Sequence, residues 1–267
     1  VCTSFVLHKD KPYIGMNFDI SKRPIKIALV GDDQLIISQK EGGRFLPAFG
    51  LNKNGTFMNL QIVDPNEEGK YRRGKNCVHI MRLFDEVLSG KVATAELPSY
   101  LQEKEVVNVP EYSVHSLIAA PNNKSYIVEP GRQYLDADSI KNDFMVLTNF
   151  SVADNLSSDL ETIDGPGSER YKIVYSKIQN NVDDFSVEKG LTVLREACQF
   201  DGNYPTQLSL IFSPEENSVY FTLNGDFDKK FRFSFLENKI TTISGFEKES
   251  DVVLTKKGIL LSELEQF

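Results

Sequence analysis

The chain has no tryptophan, and only three histidines and three cysteines among 267 residues. Cys2, Cys77 and Cys198 are odd in number and irregular in spacing, which argues against a disulfide framework and for a reducing, cytoplasmic setting. Together with His8, His79 and His115 they show no metal-ligand spacing, so no metal site is expected. No run reaches the roughly 18 apolar residues of a membrane span. No charged and then apolar opening marks a signal peptide. Positive charge is also short: 30 Lys+Arg stand against 38 Asp+Glu, a net charge of −8. That balance argues against nucleic acid or an anionic membrane as the main partner. Gly165-Pro166-Gly167 lacks the following Lys-Ser/Thr of a phosphate loop. No internal repeat, low-complexity stretch or linker divides the chain, so residues 1–267 read as one domain.

What is present is an ordinary globular composition, 40% hydrophobic and 25% charged, long enough to bury a large core. Short apolar or β-branched runs at 2–8, 13–18, 25–30, 34–38 and 56–63 are separated by turn chemistry and predict strands. Residues 64–75 are polar and of mixed charge, and read as a surface loop. Cys77, Ile80, Met81, Phe84 and Leu88 follow a helical period that stops before Gly90. A short helix over 93–103 is interrupted by Pro98. Strands follow at 113–120, 125–129 and 144–148, then helices at 168–179 and 187–199. Four more strands are read at 207–212, 218–223, 230–235 and 239–243. Alternating Phe231, Phe233 and Phe235 read as core rather than as a binding platform. Strands, helices, strands, helices and strands in that order, with loops short enough for antiparallel pairing, predict an α+β fold of two sheets with helices outside.

The chemistry concentrates at the start. Cys2 stands one peptide bond from the N-terminus. If the residue before it is removed, the freed α-amine, with a pKa of roughly 7.7–8.0, can take the thiol proton near neutral pH. Asp19 closes a second strand, and a turn near residues 10–12 would bring the two strand ends together. Asn149 follows the apolar run at 144–148. Arg170 falls in the first turn of a helix, where a cation opposes the helix dipole by about 0.3–1 kcal/mol, so a role other than helix stability is expected. His8 and His115 have no evident partners in the sequence. Cys77 and His79, two apart on the expected helix, face different ways.

Taken in order, Cys-Thr-Ser-Phe at 2–5, Gly-x-Asn-Phe-Asp at 15–19, Gly-Leu-Asn-x-x-Gly at 50–55, Leu-Thr-Asn at 147–149 and Ser-x-Arg-Tyr at 168–171 resemble the choloylglycine hydrolase, penicillin V acylase and acyl-CoA:6-aminopenicillanate acyltransferase group of Ntn hydrolases. The short interval from Asn149 to Arg170 is closer to the acyltransferase-like branch. The resemblance implies a four-layer αββα sandwich. It also implies an amidase acting on a linear C–N bond of a small acyl-amide substrate through a thioester on Cys2. Asp19 would position the α-amine, Asn149 would hold the oxyanion and Arg170 would order the centre. Asn59 is a candidate substrate contact. No metal or organic cofactor is implied. Self-association is implied, with no feature that sets the number of subunits. Relatives commonly carry Arg three residues before the Asp; here Met16 stands there, which removes a charge and suits an apolar acyl pocket. Val1 must leave for Cys2 to gain a free amine. Two alternatives stay open: acyl transfer to an amine, and a silent homologue that only binds an acyl amide.

Overall fold

A computed structural model describes all residues, 1–267. Two large antiparallel sheets face each other. The first has eight strands in the order Phe144–Leu147, Cys2–Leu7, Tyr13–Asp19, Thr206–Ser213, Ser218–Leu223, Asp226–Ser234, Lys239–Ser244 and Asp251–Val253. The second runs Leu135–Asp136, Tyr126–Val128, Val114–Ala119, Phe57–Asn59, Arg44–Asn52, Gln34–Glu41, Ile25–Val30 and Ile259–Leu260, with the short Gln61–Ile62 strand also pairing with Val114–Ala119. The helices Ser168–Gln179 and Val187–Glu196 pack on the outer face of the first sheet. The helix Ile80–Leu88 packs on the outer face of the second. This is the expected α+β sandwich. No helix is long and apolar enough to cross a membrane.

Hydrophobic burial explains the layers. Strand residues alternate between faces, so Phe18 and Phe49, 5.3 Å apart between ring centroids, meet between the sheets. On the other face of the first sheet, Phe5 meets Phe185 at 5.9 Å. A Cβ at Gly15, directly across from Phe5, would fall 2.3 Å from the Phe5 ring, so this position must stay bare. A second core lies outside the second sheet, where Leu83, Phe84, Val87 and Leu88 of the helix bury against Met58, Ile118 and Tyr126. Phe231 and Phe233 are buried, as the alternation of the phenylalanines suggested.

Departures from the expected elements have local causes. Arg44–Asn52 is a central strand that the sequence conceals behind Pro47 and Gly50. Pro47 sits where the register slips between Ile37 and Ser38, so its missing N–H falls at a bulge. Gly50 is needed because a Cβ there would lie 2.7 Å from both Ile36 and Leu88. Pro98 lies in the first turn of helix Leu97–Glu103 and opens that helix instead of interrupting it. Cys77 and His79 are on a short strand, Cys77–His79, parallel to Glu105–Val107. His79 then caps the helix Ile80–Leu88, its Nδ1 accepting from the Arg82 amide at 3.1 Å.

Candidate active site

The first two strands form the hairpin that the motif spacing requires. Cys2 pairs with Phe18, Ser4 with Met16 and Leu7 with Tyr13. Cys2 is therefore fixed beside Asp19, and its strand is flanked on the other side by Phe144–Leu147, which leads into Asn149. Three distant segments thus converge on one residue through sheet pairing alone.

Arg170 joins them. Its helix begins after Gly167, which adopts φ +81°. A Cβ at Gly167 would lie 2.7 Å from Arg170 Nη2, so glycine leaves room for the guanidinium to turn back onto the sheet. Arg170 Nη1 donates to the Cys2 carbonyl at 2.7 Å, to Thr3 Oγ1 at 2.7 Å and to Asp19 Oδ2 at 3.3 Å. Nη2 donates to Asn149 Oδ1 at 2.8 Å. The planar fork of arginine, with donors on both terminal nitrogens, serves these four acceptors better than an ammonium would.

Asn149 Oδ1 also accepts from the Cys2 backbone N–H at 3.1 Å. Its Nδ2 donates to the Ile62 carbonyl at 2.8 Å, leaving the second amide proton free for another acceptor. Asp19 faces Cys2 with its backbone carbonyl, 3.9 Å from Sγ. The Asp19 carboxylate lies among Arg170 and Thr206, whose hydroxyl donates to Oδ1 at 2.6 Å. Burial pushes Asp19 up to about 6, against the Thr206 hydrogen bond and the positive charges of Arg170 and the N-terminus. Burial also raises the Cys2 thiol, an effect opposed by the nearby N-terminal ammonium. The Val1 amine donates to the same Asp19 carbonyl at 3.0 Å. In this form, then, the Cys2 nitrogen is an amide and cannot accept a proton.

A mainly apolar cavity of about 260 Å³ opens beside Cys2, lined among others by Val1, Phe18, Pro47, Leu60, Ile62 and Met81. Arg23, Glu41 and Tyr112 also line it, the Tyr112 hydroxyl donating to Glu41 at 2.5 Å. A larger cavity, about 690 Å³, is polar and lies over Glu129 and Arg132, away from Cys2.

Solved structures share this fold. A Cys-to-Ala mutant of conjugated bile acid hydrolase from Clostridium perfringens superposes with a TM-score of 0.64 at 16% identity, covering 96% of this chain and 98% of that one. An Arg-to-Leu variant of the same enzyme gives 0.64 at 15%, with the same coverage. Penicillin V acylase from Agrobacterium tumefaciens gives 0.63 at 15%, covering 97% of this chain and 100% of that one. No family model matches the sequence, and no curated protein does. The chain has the Ntn-hydrolase fold.

Within this Ntn-hydrolase fold, four of the residues singled out in the sequence, Cys2, Asp19, Asn149 and Arg170, come together in one hydrogen-bonded cluster. Met16 and Asn59 do not line the cavity. Met16 is 1% exposed, with its sulfur 3.9 Å from Asn59 Nδ2. Asn59 donates to Ser4 Oγ at 2.8 Å and to Gln61 Oε1 at 2.6 Å, and accepts from the Leu117 amide at 2.8 Å. Sequence reasoning missed Thr3, Thr206 and Gly167 as neighbours of this cluster. Only Gly167 carried a local signal, as a glycine immediately before a helix.

Proposed function

We propose that this chain is an N-terminal cysteine amidase that cleaves a linear amide C–N bond of a small acyl-amide substrate. The observation that carries this reading is the convergence of Arg170 and Asn149 on the backbone of Cys2, whose thiol borders an apolar cavity. Removal of Val1 would turn the Cys2 nitrogen into an amine. Its proton would be held by the acceptors that now face Val1 and Cys2, the Asp19 carbonyl and Asn149 Oδ1.

The acyl group then occupies the apolar cavity, which also lets it shed water. Sγ attacks the amide carbon as the α-amine takes the thiol proton, so the raised thiol pKa is met by a base within the same residue. The free proton of Asn149 Nδ2 donates to the developing oxyanion, a contribution of about 3–4 kcal/mol where such a donor has been removed from other enzymes. The amine returns the proton to the leaving nitrogen. Water, or an acceptor amine, resolves the thioester. Arg170 holds the Cys2 carbonyl and the Asn149 amide, and its charge is balanced by Asp19. With Met16 in the core, the reading assigns no cation at that position to substrate, and an apolar acyl amide fits the lining best.

The experiment is to incubate the chain lacking Val1 with N-acyl amides of graded acyl length and to weigh the intact protein. A mass increase equal to the acyl group, absent in Cys2→Ala, together with release of the amine, supports the reading. No adduct and no turnover across the series would favour a silent binding homologue. Rapid resolution by added amine rather than by water would make the chain an acyltransferase.

A further inference from the structure

We infer that His115 and Glu129 are positioning residues for the reaction proposed above, fixing the turn that carries Asn149. The inference rests on that reading.

Both side chains are buried, with no exposed surface on either. His115 lies on Val114–Ala119 of the second sheet, and Asn149 lies in the bend just after Phe144–Leu147 of the first. The imidazole bridges the gap. Nε2 is 2.8 Å from the carbonyl of Thr148, the residue just before Asn149. Nδ1 is 3.3 Å from Glu129 Oε1. The ring thus links the backbone just before Asn149 to a carboxylate carried by the second sheet's side of the molecule. Gln61, the cross-strand partner of His115, donates to the same Thr148 carbonyl at 3.0 Å and to that of Leu147 at 3.3 Å. Glu129 reaches past Asn149: Oε1 accepts from the Val152 amide at 2.8 Å, and Oε2 from the Ser151 hydroxyl at 2.5 Å. Arg132 Nε lies 3.7 Å from Oε2. Residues 148–152 are therefore pinned on both sides of Asn149 from the opposite sheet.

Packing alone does not require this arrangement. A buried charged or polar pair is seldom more stabilising than apolar side chains of the same volume. What the His115–Glu129 pair adds is direction. Asn149 must present Oδ1 to the Cys2 nitrogen and to Arg170 while its Nδ2 spans to Ile62. Movement of the turn would disturb all of these at once, and a misplacement of about 1 Å can lower a rate by about 10²-fold.

Two substitutions separate the arms of the imidazole. His115→Gln keeps a donor at the ε position, toward Thr148. His115→Asn keeps one only at the δ position, toward Glu129. With Val1 removed, H115N is expected to lower kcat by between about 10-fold and 100-fold, with KM within about twofold, while H115Q stays within about threefold of the parent. In an Asn149→Ala background, H115N should cost little more, since it acts through Asn149. Glu129→Gln, close in shape, is the second variant and is expected to move kcat in the same direction if H115N does not fold. Equal kcat for all folded variants, a change confined to KM, or the same loss from H115N with and without Asn149 would overturn the inference. Full turnover by N149A would instead overturn the oxyanion assignment, and absence of turnover in the parent would overturn both.

Discussion

Arg170 donates to the carbonyl of Cys2 at 2.7 Å, although 168 positions separate the two in the chain. The same guanidinium is 3.3 Å from the Asp19 carboxylate, with 9% of Arg170 and none of Asp19 exposed. Removing one partner of a buried ion pair leaves the other uncompensated, which costs about 3–5 kcal/mol. Arg170→Ala is expected to lose stability on that scale in urea unfolding and to lose amide turnover. Arg170→Lys should keep part of the stability but not the bond to Asn149, because an ammonium cannot imitate the fork. Equal turnover by the Lys variant would show that charge alone is needed.

Asp19 makes a pH-dependent prediction. Burial raises its pKa to about 6 in the folded chain, from roughly 3.9 in an unfolded one. The folded state thus favours the protonated acid. That contribution is complete below about pH 4 and is lost as pH rises through about 6, amounting to about 3 kcal/mol in full. Compared with Asp19→Asn, the parent should lose urea resistance between about pH 4 and pH 6. Turnover should run the other way, falling as pH drops through about 6, because the ionised carboxylate balances Arg170. A pH dependence of stability unchanged by the substitution would contradict the raised pKa.

Gly167 is the position where backbone geometry limits the site most directly. At φ +81° any L-residue is strained, by about 1–2 kcal/mol. The added methyl would also lie 2.7 Å from Arg170 Nη2 and 3.0 Å from Thr148 Cβ. Gly167→Ala should therefore depress kcat by more than its stability loss implies, as a urea titration run beside initial rates would reveal. Asn at this position tolerates the backbone better and should restore stability more than rate.

The hairpin from Cys2 to Asp19 was legible because its chemistry is local: alternating apolar residues, a turn with Lys-Pro, and side chains placed by a period of two. The helix carrying Arg170 was legible for the same reason. Arg44–Asn52 was not, since Pro47 and Gly50 look like breakers until the bulge and the close helix are seen. His115 looked solitary because its partners are 14 and 33 residues away and one of them is a carbonyl on the facing sheet. Thr206 likewise meets Asp19 across 187 positions. Asn149 was singled out by motif, but the bond of its Oδ1 with the Cys2 amide depends on pairing of strands far apart in the chain, with 147 positions between the two residues, which no local pattern encodes.

Val1 makes the sharpest prediction. Its amine occupies the Asp19 carbonyl at 3.0 Å, and its side chain takes part of the cavity beside Cys2. While it stays, the nitrogen of Cys2 is a donor to Asn149 with no basic lone pair, and the thiol, raised by burial, lacks the base proposed for it. Taking Val1 away would enlarge the cavity at its reactive end and supply an amine in one step. Chain beginning at Cys2 should therefore turn over an N-acyl amide at least about 10²-fold faster than chain that keeps Val1, the scale expected of a positioned general base. N-terminal sequencing of each preparation fixes which form is assayed. Equal rates would rule out the α-amine as the base and would require some other group to take the Cys2 proton.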